Sequence, residues 1–489
     1  MTSDSATSQA PTSRRLAGQG ALLFSGYAAA QGLSFFRNAV IGHALSKDNF
    51  GIAATITLIL QVIETLSDLG ADRLIVQAEQ GDQPRFIATA HSMLAARGVL
   101  LTILLLAFGP AIAHFFGADQ AATAFQLVAC VPLIKGFMHL DFRRAQRRFD
   151  NRPQMLVEAL PQAAALALIY PALTVTHDFN VVVLLSVAQA MTMVALSHVL
   201  SERPYRFATD TKILKQQFAF GWPILASALP LIAVYHGDRM IIGRLHGMES
   251  LANYSAAFMV TMVPGLIAAK VGHALMLPLF SDTLRRGRQL NPPFKVMTEA
   301  TVLFAALYLA AFIIAGEALL PIVFGHRYTG LGPVTSWLAA MWALRMIQAV
   351  PGMALMAHGA TKPFFVAGFV RALALPFVLY AALNGAPIAT LAAIGCVFEA
   401  LSLTYVAYRL ERLEAGLGLI LLTRAAFLIP VAIACQLTSC AGTGSLVCVA
   451  LSTIATTILV AAIGATVMPT LRNRLRRILA NTNAIIAGA

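Results

Sequence analysis

Apolar stretches long enough to cross a bilayer, about 20 residues each, recur along nearly the whole of this 489-residue chain, with only short polar connections between them. A segment in hydrocarbon must satisfy its own backbone hydrogen bonds, and a run of this length does so as an α-helix. The pattern excludes a soluble globule and leaves an all-α integral membrane protein. Composition agrees: 58% of residues are hydrophobic and 12% charged, about half the charged share of an ordinary soluble domain.

Fourteen spans can be drawn, at residues 20–45, 51–75, 86–116, 121–140, 155–176, 179–200, 216–237, 252–280, 294–316, 332–357, 361–383, 386–408, 417–435 and 445–468. Lys and Arg crowd into alternate connections and both tails, which fixes that side, and both termini, as cytoplasmic. The net charge of +13 is therefore an orientation signal rather than a nucleic-acid footprint. Its densest clusters are Arg143, Arg144, Arg147, Arg148 and Arg152, then Arg285, Arg286 and Arg288. Both are read as topology signals beside anionic membrane lipids.

The ends differ from the spans. Residues 1–18, rich in Ser, Thr, Ala and Gln, read as a disordered cytoplasmic N-terminus. Arg14-Arg15 imitates a cleavable signal, but the apolar pattern resumes at once through Leu33 to Leu45, which argues against cleavage. Residues 471–489 form a basic cytoplasmic tail in which Leu471, Leu475 and Ile478 share a helical face, a pattern for lying on the inner membrane surface. Cys130, Cys396, Cys435, Cys440 and Cys448 show no metal spacing; Cys435 and Cys440 flank an external turn, as free thiols or as a disulfide. No HExxH, GxSxG or P-loop occurs, and the histidines are scattered singly, so neither enzyme chemistry nor a cofactor or metal is expected.

A faint repeat adds organisation. Arg37-Asn38-Ala39-Val40-Ile41-Gly42, followed by Phe50-Gly51-Ile52-Ala53-Ala54, aligns with Asp238-Arg239-Met240-Ile241-Ile242-Gly243, followed by Tyr254-Ser255-Ala256-Ala257. The copies lie six spans apart, an even offset that preserves orientation and suggests two six-helix lobes about an axis along the membrane normal, with substrate between them. The expected division is an N-lobe at 19–210, a C-lobe at 211–410 and two further helices at 411–470.

With Lys47-Asp48-Asn49-Phe50-Gly51, Asp68-Leu69-Gly70, Asp238 to Gly243, Tyr254-Ser255 and Phe324-Gly325-His326-Arg327-Tyr328, the chain resembles the polysaccharide-flippase branch of the multidrug/oligosaccharidyl-lipid/polysaccharide exporter superfamily over about residues 18–410. The resemblance implies two six-helix bundles in a V around a central cavity. It also implies movement of a polyprenyl-diphosphate-linked oligosaccharide from the cytoplasmic to the outer leaflet by alternating access, in the bacterial inner membrane. The product would be O-antigen, exopolysaccharide or capsule, and a polysaccharide polymerase and chain-length machinery are the implied partners.

Five cations, Arg37, Arg97, Lys270, Arg345 and Arg371, fall too deep in their spans for easy snorkelling. Each costs about 2.5–3.5 kcal/mol at the bilayer centre, so it should face protein or a watery cavity. The deep carboxylates are fewer: Glu64, Asp68 and Glu399. The functional reading is a cationic cavity for the substrate's diphosphate; the resemblance places Arg37 and Lys270 along it. The structural reading is pairing, for example Glu64 with Arg97. Glu64 and Asp68 share a helical face, and they and Glu399 serve either to couple transport to an ion gradient or simply as partners for arginine. Pro264-Gly265 is the candidate hinge, against a static bend. A multidrug cation antiporter of the same superfamily calls for net negative rather than positive interior charge. A membrane polymerase, ligase or acyltransferase calls for a large external loop or a convergent polar site.

Overall fold

The computed structural model describes residues 13–148, 150–438, 446–470 and 472–473, and all regular structure among them is helical. The first half contains α1 Ser13–Ala44, α2 Lys47–Leu66, α3 Ala71–Gln77, α4 Pro84–Phe115, α5 Ala122–Leu127, α6 Cys130–Gly136, α7 Asp141–Arg147, α8 Arg152–Ala167, α9 Ile169–Val175 and α10 Asn180–Val199. The second contains α11 Thr211–Ile232, α12 Asp238–Leu245, α13 Gly247–Arg285, α14 Asn291–Phe324, α15 Gly332–Ala357, α16 Lys362–Ala372, α17 Ala374–Leu383, α18 Ile388–Glu411, α19 Leu417–Ala425, α20 Leu428–Thr438 and α21 Leu446–Val467. α1 begins at Ser13, inside the stretch expected to be tail. The expected tail helix, apart from Arg472 and Asn473, and Cys440, with its possible disulfide, lie outside the described residues.

Among the described residues ten helices are long and apolar enough to span a membrane, and twelve if two bent pairs each count once. This is a multi-pass membrane protein. Its apolar side chains point outward as readily as inward: Leu100, Ile103 and Phe108 of α4 are 56%, 57% and 57% exposed, an arrangement suited to lipid as the solvent.

Proline accounts for four of the breaks. A proline removes the bond to the carbonyl four residues earlier and crowds it. The α5–α6, α8–α9, α16–α17 and α19–α20 breaks fall at or beside Val128, Ala167, Ala372 and Ala426, each four residues before Pro132, Pro171, Pro376 and Pro430. The α8–α9 pair bends by 46°. α13, in contrast, runs unbroken for 39 residues through Pro264. Gly265 there lies against Trp342, whose ring a methyl group would meet at 2.9 Å.

The chain divides into two compact units, residues 1–45 with 55–228 and residues 46–54 with 229–489. The boundary falls inside α11, and the short segment 46–54 belongs with the second unit. In the first unit Leu74, Ile75, Phe86, Ile87, Ala90, Leu140 and Phe142 form a core. The neighbouring basic cluster is held by protein, not left for lipid. Arg143 reaches Asp72 at 2.9 Å, Arg144 reaches Asp141 at 2.7 Å and also Glu202, and Arg147 donates to the Ile75 carbonyl at 3.3 Å and the Glu79 carbonyl at 3.0 Å.

In the second unit α15 is the central helix, packed by α13, α14 and α18. The motif residues act here as staples. Phe50 sits edge-on to Phe324 and Tyr328 with centroids 5.9 and 6.1 Å away, and Lys47 lies over the Tyr328 ring at 5.7 Å. Gly51 is pressed onto the Met248 carbonyl, which a Cβ would meet at 2.1 Å. Burial of Tyr328, outside the spans, pushes its hydroxyl well above the usual tyrosine range.

Candidate functional site

The deep cations take three different settings. In the first unit α1 packs on α8, and α8 on α10. Arg37 of α1 donates from Nη1 to Gln162 Oε1 of α8 at 3.3 Å and to Gln189 Oε1 of α10 at 2.6 Å. Both partners are neutral, and among the described residues no carboxylate pairs with this guanidinium.

The second setting lies in the same unit, around Glu64. The expected Glu64–Arg97 pair is replaced: Lys135 of α6 reaches the Glu64 carboxylate at 2.7 Å. Arg97 of α4 donates instead to the Ser67 hydroxyl at 2.8 Å and to the Glu64 backbone carbonyl at 2.7 Å. Glu64, Arg97 and Lys135 line a cavity of about 220 Å³ with Leu94, Leu101 and Met193. Gly98 lets α4 approach α6 there, since a Cβ would meet the Pro132 carbonyl at 2.6 Å. Asp68 is held elsewhere, by Arg73 at 3.1 Å and by the Gly70 N–H at 2.9 Å. Glu64 and Asp68 thus each meet a different cation, and among the described residues no group of three or more His, Cys, Asp or Glu suits a metal.

The third setting, in the second unit, holds Arg345 and Arg371. Both converge on Glu399 of α18. Arg345 Nε donates to Glu399 Oε1 at 2.5 Å, with side chains 7% and 2% exposed. Arg371 Nε lies 2.9 Å from Glu399 Oε2, but the N–H is not aimed at it, so this is charge contact rather than a second directed bond. Arg371 aims Nη2 at Gln348 Oε1, and Gln348 donates to the Ser402 hydroxyl at 3.0 Å. Arg345 is sandwiched by Tyr235 and Trp342, its Cζ 4.9 and 4.8 Å from their centroids.

Tyr235 sits in a π-helical turn, Ala233–Gly237, between α11 and α12; such turns are rare within α-helices and frequent at functional sites. Beside it Asp238 accepts from the Tyr254 hydroxyl, and Arg239 donates to His236 Nδ1 at 2.9 Å while its Cζ lies 4.7 Å from the Phe258 ring centroid. Lys270 is exposed on α13.

Sequence inspection overlooked Lys135, Gln162, Gln189, Tyr235 and Gln348. A neutral amide in an apolar run gives no charge signal, and Lys135 sits close enough to a connection to pass for a topology residue. The Asp238-Arg239 dipeptide was visible, but only as a motif.

A family model described as polysaccharide biosynthesis protein matches residues 41–333. The chain is 23% identical over 300 residues to the teichuronic acid biosynthesis protein TuaB of Bacillus subtilis (strain 168), covering 60% of this chain and 61% of that one. It is 25% identical over 142 residues to the amylovoran biosynthesis protein AmsL of Erwinia amylovora, covering 29% and 37%. The match therefore spans less than two thirds of either relative. Among solved structures, a lipid II flippase MurJ in an inward closed conformation superposes with a TM-score of 0.70 at 14% identity, covering 91% of this chain and 99% of that one. An inward-facing multidrug resistance MATE family transporter of the MOP superfamily gives 0.65 at 14% identity, covering 79% and 96%. At such identities the likeness is one of fold.

Proposed function

The chain belongs to the polysaccharide biosynthesis protein family, and from that premise we propose that it is a transporter moving a polyprenyl-diphosphate-linked oligosaccharide from the cytoplasmic to the outer leaflet of the bacterial inner membrane. It works by alternating access and serves export of a surface polysaccharide. α1, 32 residues long and thus about 48 Å at ~1.5 Å per residue, and α21 complete fourteen spans with both termini cytoplasmic, as the Lys and Arg distribution supports.

One observation carries the substrate class: Arg37, in the apolar α1, donates only to two neutral amides among the described residues. An uncompensated cation at such depth is costly and is retained where an anionic group visits it. A guanidinium suits a diphosphate. Arg97, in the same unit as Arg37, is a secondary contact for the headgroup, Lys270 of the second unit is a separate candidate contact, and Arg345 and Arg371 act through Glu399 as structural ties. α13 flexes near Pro264-Gly265 during the cycle.

The reading is tested in cells lacking the chain. Lipid-linked repeat units should collect on the inner leaflet, and Arg37→Ala at wild-type abundance should not restore export. Normal leaflet distribution in the null strain would overturn the flippase reading.

A further inference from the structure

From the geometry around Arg37 we infer that Gln162 and Gln189 are positioning residues: they hold its guanidinium by one nitrogen, without neutralising it, and so present the opposite edge to an anionic headgroup. The inference rests on the assignment of Arg37 to headgroup binding.

Both amide oxygens converge on the same atom, Nη1, at 3.3 and 2.6 Å, from two different helices. The Nε and Nη2 donors have no protein partner among the described residues, and neither is sealed from the surroundings. Nε and Nη2 form the edge of a guanidinium that engages two phosphate oxygens side by side. A side chain as long as arginine loses much rotamer freedom on being fixed. Two anchors on one nitrogen fix it before the ligand arrives, which lowers the cost of binding.

The choice of glutamine over glutamate is what makes this a binding device. A carboxylate at the same 2.6 Å would also hold Nη1, but as an ion pair in a poorly screened setting, and would repel the incoming phosphate. The second unit shows that alternative in the same molecule: Glu399 ties Arg345 and Arg371 down. Gln189 and Glu399 thus mark the difference between a presented arginine and a neutralised one.

The test uses the full-length protein in detergent and measures binding of a long-chain polyprenyl diphosphate by native mass spectrometry, with the polyprenyl alcohol as the uncharged probe. Gln189→Glu and, separately on the other helix, Gln162→Glu should each weaken diphosphate binding by about tenfold or more, equivalent to about 1.4 kcal/mol. Alcohol binding and thermal unfolding should stay at wild-type values. Gln189→Met, which removes the anchor but adds no charge, should fall between wild type and Gln189→Glu. If one glutamate variant does not fold, the other and Gln189→Met decide the matter. Should Arg37→Ala leave diphosphate binding intact, the assignment of Arg37 itself fails. Should Arg37→Ala weaken it while both glutamate variants bind as wild type does, the positioning role is overturned and the Arg37 assignment survives.

Discussion

At the scale of single residues, the charges in the membrane separate by the partner each one has. Glu399 serves two arginines from inside the second unit, and removing one member of a buried pair strands the rest. Glu399→Gln should cost about 3–5 kcal/mol, read as a lower thermal midpoint and reduced abundance; unchanged midpoints would show that Arg345 and Arg371 do not depend on it. Gly51→Ala should be severe for a different reason. The added methyl meets the backbone carbonyl of Met248 at 2.1 Å, and backbone yields less readily than side chain, so a loss of at least ~1–3 kcal/mol is expected. A Gly51→Ala protein as stable as wild type would mean that this approach relaxes freely. These outcomes also mark what a sequence discloses. That Arg37, Arg97, Arg345 and Arg371 stand within apolar runs was legible because a charge there is conspicuous. Which of them is free was not, because that depends on Gln162, Gln189, Lys135 and Gln348, residues that become neighbours only when distant helices pack.

At the scale of elements, the helices were legible from hydropathy, while the places of their interruptions were not. α13 passes Pro264, the proposed hinge, unbroken, whereas Pro132, Pro171, Pro376 and Pro430 each sit four residues after a break. The difference lies in what satisfies the freed carbonyl, a tertiary matter. The break before Pro376 also has a role, since it leaves Arg371 in the last turn of α16. Pro376→Ala should let α16 run on into α17, draw Arg371 away from Glu399 and lower the thermal midpoint; a higher midpoint would show that the break has no part in placing this arginine. The π-helical turn at Ala233–Gly237 left no mark in the sequence, because one extra residue per turn alters neither composition nor apolar period enough to be seen.

At the scale of the whole molecule, recurrent apolar runs and a lopsided distribution of Lys and Arg were enough for a multi-pass helical membrane protein. The count of spans was harder. Ten described helices meet the requirement singly and two bent pairs raise the number to twelve, so the fourteen-span topology depends on α1 and α21. A reporter enzyme active only outside the cytoplasm, fused after residue 470, should be inactive, and activity there would remove one of those spans. The central claim is tested most directly in proteoliposomes holding the purified protein and a polyprenyl-diphosphate oligosaccharide, by following how fast the lipid becomes accessible to an enzyme on the far side. Wild-type protein should equilibrate the substrate across the bilayer while Arg37→Ala leaves it at the protein-free rate; equal rates for wild-type, Arg37→Ala and empty vesicles would contradict transport by this chain.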